Sequence, residues 1–346
     1  MTGLAAKSDV RVRFEGSRAP AGAAAIQARS ASTIRPALSL VMSVQSSAIA
    51  PVAPPLLHPS GLGWGLVGVL AFSFTVPFTR YAADGGLAPL FIGSGRAVVA
   101  AALATVVLLA TRQRRPSRVQ WARLAVVAGG VVVGFPMLTS YALTTVPASH
   151  GAVVIGLLPA ATAAAAVVRG REQVSRAFWA FAALGALAVV TFAALQNGGL
   201  GQLHWADLLL FGAVVAAAIG YAEGGLLARE LGSWQTVSWA LVLSAPLMTL
   251  LVAVSVAGET PSATPTQWLA FLYLCVVSMY LGFFAWYRGL AIGPMAQVSQ
   301  VQLVQPVMSI LWAALILREA LTWPTVLGGL VVIACARFAV RARLSA

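Results

Sequence analysis

PMAQVSQVQLVQPVMSILWAALILRE, residues 294–319, repeats PASHGAVVIGLLPAATAAAAVVRGRE, residues 147–172, without a gap. The register is 147 positions: Pro294 answers Pro147, Pro306 answers Pro159, Arg318 answers Arg171 and Glu319 answers Glu172. Further out, the same register carries Gln267 and Trp268 back to Gln120 and Trp121. Both copies are strongly apolar, so what is duplicated is membrane architecture. Duplicated halves recur among secondary transporters, whose substrate sites lie between the copies.

Composition agrees. The 346-residue chain is 60% hydrophobic and 9% charged, against roughly 25% charged in a soluble domain. It cannot cover a water-facing surface, so it reads as a polytopic protein of a lipid bilayer. The net charge of +13 is almost all arginine, with Lys7 the sole lysine. A basic total often signals nucleic acid. Here the arginines sit in short links and the N-terminal tail, where membrane orientation accounts for them, and no nucleic-acid partner is expected. Cys275 and Cys335 fall inside apolar runs and read as small packing residues, not as a disulfide or a metal site.

A hydrocarbon core of about 30 Å takes roughly 20 residues of helix. Ten such spans are predicted, at about 62–80, 87–111, 121–143, 148–168, 177–195, 205–227, 234–257, 267–288, 294–317 and 322–340. The runs lack the alternation of a barrel, so the fold class is all-α integral membrane. Orientation follows from the arginines. With the N-terminus inside, the inner links hold Arg112, Arg114, Arg115, Arg118, Arg123, Arg169, Arg171, Arg176, Arg229 and Arg288, and the outer links only Arg80 and Arg318. Both termini are therefore expected on the cytoplasmic side of the cell (inner) membrane. Five spans per half is an odd number, so the second half is inverted relative to the first.

Residues 1–60 are rich in Ala, Ser, Pro and Arg and contain no 20-residue apolar run. They read as a disordered extension, or as an upstream extension of the reading frame with Met42 as the alternative start; a transit peptide has a similar composition. The repeats are assigned to 61–196 and 204–341.

Over about 61–341 the chain resembles the drug/metabolite transporter superfamily, specifically proteins with two EamA-like repeats. The residues that carry the resemblance are Gly63-Trp64-Gly65, Arg96, Ala148-Ser149-His150-Gly151-Ala152 with Leu158-Pro159 and Arg171-Glu172, and Leu303-Val304-Gln305-Pro306 with Arg318-Glu319-Ala320-Leu321-Thr322. The first copy departs from the pattern in Gln173-Val174-Ser175 after Glu172. The resemblance implies ten helices in two inverted five-helix repeats and movement of a small metabolite. Amino-acid-like export is the leading direction it suggests.

Arg96 is the most informative polar residue. It lies about nine positions into its span, roughly 13 Å deep at helical rise. A buried Arg costs at least about 2.5–3.5 kcal/mol on insertion scales, so it must face the bundle interior. There it either binds an anionic group of the substrate or ties carbonyls of neighbouring helices. Glu223, inside span six, is the candidate for proton coupling, since a dry carboxylate can hold a proton at neutral pH; the competing reading is an interfacial ion pair with Arg229 or Arg288. Glu172 and Glu319 read as structural groups that accept backbone N–H donors at the turn into the next helix.

Span nine opens with Gln297, Ser299, Gln300, Gln302 and Gln305. Pro306 frees the carbonyl of Gln302. Gln297, Gln300 and Gln302 are candidates to line a chamber, or they bond helices together. His150 stands opposite Gln297 in the repeat and is either a substrate contact or a cap. Tyr280, Phe284 and Tyr287 form one stripe on span eight, with Tyr280 as the substrate-contact candidate and packing as the alternative. Glycine pairs four apart, Gly61/Gly65, Gly130/Gly134, Gly220/Gly224 and Gly289/Gly293, allow close helix crossings. Gly63, Gly65 and Gly68 spell a dinucleotide motif that no strand precedes, so it is discounted.

No Walker lysine, HExxH or GxSxG occurs, and paired acids for glycoside hydrolysis are missing. No enzyme activity, catalytic residue, metal or cofactor is expected. The reading is a secondary transporter that moves a small organic metabolite by alternating access. The alternatives are a carrier of an anionic lipid-linked or nucleotide-sugar substrate, and a non-transporting membrane protein. Monomer and homodimer are both compatible with the chain.

Overall fold

The computed structural model describes residues 59–170, 175–196, 204–293, 298 and 301–344. The N-terminal extension with Met42 lies outside the described residues, as do Gln297, Gln300, Arg171 and Glu172.

Ten helices follow one another: α1 Gly61–Asp84, α2 Pro89–Ala110, α3 Arg118–Ala142, α4 Ala148–Arg169, α5 Arg176–Leu195, α6 Trp205–Leu231, α7 Ser233–Gly258, α8 Pro265–Ile292, α9 Gln302–Ile316 and α10 Trp323–Ala342. Among the described residues, nine are long and apolar enough to cross a membrane and α9 is a shorter apolar helix. The expected ten-span pattern holds, with repeat one as α1–α5 and repeat two as α6–α10.

The duplication reaches local geometry. Ser117 and Thr264 each begin a capping box, with Gln120 and Gln267 as the returning partners at N3. Two donors left over at each helix start are thereby satisfied, which explains why Gln120 and Gln267 recur. Both image helices then widen into a π segment, Ala128–Gly134 in α3 and Leu274–Leu281 in α8. Both α4 and α9 break just ahead of a proline: α4 turns at Gly156 and Leu157 before Pro159, and α9 opens with a 3₁₀ turn at Gln302–Val304 before Pro306. Proline has no N–H and clashes with the carbonyl four residues back. A Cβ on Gly156 would touch the ring of Pro306, so the two interruptions face each other.

Image helices pack on one another: α2 on α7, α4 on α9 and α5 on α10, while α1 on α8 is matched by α6 on α3. A pseudo-twofold axis requires this pairing. The repeats therefore interleave in one body instead of standing side by side. The glycine pairs meet as partners. Gly61 lies against Gly293, Gly289 against Gly61 and Gly65, and Gly130 against Gly220, so close that a Cβ on Gly61, Gly289 or Gly130 would strike backbone atoms. Between α6 and α7 the link narrows to Gly232 at φ 98°, a left-handed conformation that suits glycine.

Candidate functional site

The seam between the repeats contains a small cavity of about 20 Å³, room for about one water. Its wall draws on both repeats: Thr75 from α1, Arg96 from α2, Phe135 from α3, Tyr221 from α6, Ser278 and Phe283 from α8, and Gln305 from α9. Val131 and Ser278, which occupy the same position in the two π segments, both line it. A π segment places extra backbone in one turn and recurs at functional positions in helices.

Arg96 is 1% exposed. Gly93 and Gly95 flank it and let α2 lie close to Met137 and Phe271. Its Nε and Nη2 have no hydrogen-bond partner among the described residues. Gln305 Oε1 is likewise without a partner, as are both amide atoms of Gln302. Gln302 and Gln305 line a second, smaller void against Ala152, Ile155 and Ser309, so Gln305 borders both spaces. Buried polar groups are normally satisfied. Here a cation, the whole amide of Gln302 and the amide oxygen of Gln305 lie unsatisfied at two voids that share Gln305, at the break of α9. Thr75 Oγ1 and Ser278 Oγ, both in the cavity wall, pair with each other at 2.7 Å.

The arrangement can receive a carboxylate or another oxyanion. A guanidinium offers parallel donors that fit such a group, and an amide from α9 can take a neighbouring donor or acceptor.

Tyr280 is placed elsewhere. Its hydroxyl meets Ser238 Oγ of α7 at 3.0 Å. The rest of its stripe also packs: Tyr287 donates to the carbonyl of Gly220, and Phe284 stands edge-on to Trp64. Phe283, beside the stripe, is the ring that reaches the cavity. Glu223 does not pair with Arg229 or Arg288. One carboxylate oxygen accepts from Arg123 Nε and the other from Arg169 Nε, while Arg123 also reaches Glu230. The reason is the face on which it stands: Glu223 points toward α3 and α4, whereas Arg229 donates to the carbonyl of Leu290 and Arg288 lies over Trp64. Glu319 does not cap the helix that follows it. It crosses to the other repeat and accepts the N–H groups of Ala148 (2.7 Å) and Ser149 (2.9 Å) at the start of α4, where the positive end of the helix favours a carboxylate.

His150 does not line the cavity with Arg96; it stands at the end of the bundle where α4 begins. Its Nε2 is 2.7 Å from Asp207 Oδ1. Asp207 and Tyr221 are participants that sequence reasoning did not single out, and Gln305 stood in the polar cluster of span nine without being assigned to the chamber. Asp207 was legible only as an acid at the head of a span, and Tyr221 looked like any aromatic in an apolar run.

Two stretches of the chain, 59–194 and 204–341, match the model of the EamA-like transporter family. A protein of Bacillus subtilis (strain 168) named "Uncharacterized transporter YdeK" is 44% identical over 275 residues, 79% of this chain and 95% of that protein. A solved crystal structure of a protein aligns with a TM-score of 0.58 at 18% identity, over 84% of this chain and 99% of the other, which is a likeness of fold.

Proposed function

Since the chain belongs to the EamA-like transporter family, and is thus a membrane transporter of a small molecule, we propose that it exports an amino acid or related metabolite by alternating access through the seam between its repeats. Arg96 is the group that recognises the substrate's anionic end, and Gln302 and Gln305 hold the remainder. Gln297 and Gln300 extend the same polar start of span nine. The arginine-rich end faces the cytoplasm, as loop charge dictates.

The observation that carries this reading is that the unsatisfied guanidinium of Arg96 and the unsatisfied Oε1 of Gln305 line one cavity built from both repeats. Burying a cation with no counter-charge is costly, and a substrate carboxylate repays that cost when it binds. Interrupted helices near the middle of the bilayer are the usual surroundings of such sites. The present volume is too small for a metabolite, so the helices must separate to load it.

Uptake into proteoliposomes tests the reading. Purified protein is expected to move at least one amino acid or related carboxylate. Arg96→Ala is expected to lower that transport by about tenfold or more, the scale of a lost charged hydrogen bond of about 1.5–3 kcal/mol. Unchanged transport in Arg96→Ala would remove the assignment.

A second reading, a carrier of an anionic lipid-linked substrate, is favoured by one observation. An apolar groove of about 530 Å³ opens on the bundle's flank between Ala161, Ala164, Val168, Ala218 and Ile219 and ends at Arg169 and Glu223. Transport of a prenyl-phosphate in preference to soluble carboxylates would select it.

A further inference from the structure

The end of the bundle where α4 and α6 begin contains a polar cluster that the central cavity does not use. His150 stands in the first turn of α4, in repeat one, and bonds Asp207 in the first turn of α6, in repeat two. They are 3% and 7% exposed. The other oxygen of Asp207 accepts the backbone N–H of His204 at 3.1 Å. The pair opens on a vestibule of about 290 Å³ lined by Thr145, Ser149, His204, Glu319 and Thr322.

A carboxylate only accepts, so Nε2 carries a hydrogen toward Asp207 and Nδ1 is the nitrogen left to gain or lose a second proton. With Nδ1 bare, the buried pair holds a net charge of minus one. A proton from vestibule water that bonds to the Nδ1 lone pair gives an imidazolium–carboxylate pair of net charge zero. In a low-dielectric interior that pair attracts far more strongly than the neutral ring and carboxylate do.

Other groups around the imidazole set which member titrates. The positive end of α4 is occupied by Glu319, held there by two backbone N–H groups. His204 comes from the head of α6. From α1, Arg80 donates to the carbonyls of Leu143 and Val146 just ahead of α4. The α5 side presents the ring of Phe192, 5.0 Å from the imidazole, and the α10 side presents Thr325. Imidazole is the group whose charge changes between about pH 5 and 8.

We propose that the His150–Asp207 pair is the proton-binding site of this transporter, a tie between the repeats that tightens when protonated and loosens when the proton leaves. Opening of this end is then linked to the proton. The inference rests on the alternating-access reading given above. It places the coupling site away from Glu223, where each carboxylate oxygen is taken by a guanidinium.

The test follows Ala152→Cys, a position 1% exposed and one turn behind the vestibule, with Cys275→Ala and Cys335→Ala in the background. Its reaction with a membrane-impermeant maleimide is measured in proteoliposomes from about pH 5.5 to about pH 8. Each rate is divided by that of the same cysteine in His150→Gln, which removes the pH dependence of the thiol itself. If His150→Gln does not fold, Thr322→Cys, exposed on the same vestibule, is the divisor.

The ratio is expected to rise about tenfold across this range, the shift in a two-state population that one titrating group can drive. Asp207→Asn is expected to flatten it. A ratio independent of pH overturns the proposal. No substrate enters the measurement, so the two readings fail separately. A flat ratio beside Arg96-dependent transport removes the proton site alone, and a rising ratio beside Arg96-independent transport removes the substrate assignment alone.

Discussion

The two repeats share a frame and differ in what they place inside it. Capping boxes, π segments, proline breaks and glycine crossings occur in both. The polar lining does not. Repeat one supplies the cation: Arg96 stands in α2, and its image helix α7 contains no charged residue from Ser233 to Gly258. Repeat two supplies the neutral partners: Ser278, Gln302 and Gln305 stand where repeat one has Val131, Ile155 and Leu158. A symmetric pair of walls would accept a substrate either way round. With a guanidinium on one wall and amides on the other, the cavity can tell one end of a molecule from the other.

Erasing that asymmetry should have the largest effect. Gln302→Ile with Gln305→Leu gives repeat two the residues of repeat one. Transport in proteoliposomes is expected to fall about tenfold or more, as when a site loses hydrogen bonds that it makes to substrate. Stability is expected to rise by about 2 kcal/mol, because unsatisfied buried amides are removed. A double variant that transports normally, or that unfolds more easily, contradicts the assignment of these amides to substrate.

A smaller effect tests the ends of the bundle. Val76 is the image of Glu223, and Glu223→Val leaves Arg123 and Arg169 without their shared carboxylate. Thermal unfolding in detergent should register a loss of about 2–3 kcal/mol, moderated because Arg169 is half exposed and Arg123 keeps Glu230. Gly220→Leu tests the close crossing of α3 and α6, where added volume typically costs about 1–3 kcal/mol. Gly289→Leu should do the same at α1 and α8, and a neutral result at either position would mean that the helices there stand further apart. Glu319→Gln is expected to cost least, about 1 kcal/mol, because the amide oxygen still accepts one N–H while the other N–H loses its acceptor and the charge at the α4 N-terminus is lost. A change in unfolding temperature as large as that of Glu223→Val would show that Glu319 has a larger share in joining the repeats.

The spans, the repeat, its inversion and the inward face of Arg96 were legible because hydropathy and loop charge are local quantities. The glycine pairs were visible too, but not which pair met which. The π segments carry the same apolar residues as the helices around them, so composition could not reveal them. His150 and Asp207 are 57 positions apart, and no pattern along the chain links them. Glu319 was expected to serve its own turn, and the N–H donors it accepts from instead belong to a helix about 170 positions away.

What the chain alone determined is the series of apolar helices and its duplication, since the first follows from the free energy of moving short segments between water and lipid and the second is written in the residues themselves. Which unsatisfied groups confront each other was decided only when ten helices packed. Interhelical distance is a joint property of surfaces remote in sequence, and a few ångströms separate a charge that is paired from one left open to a ligand.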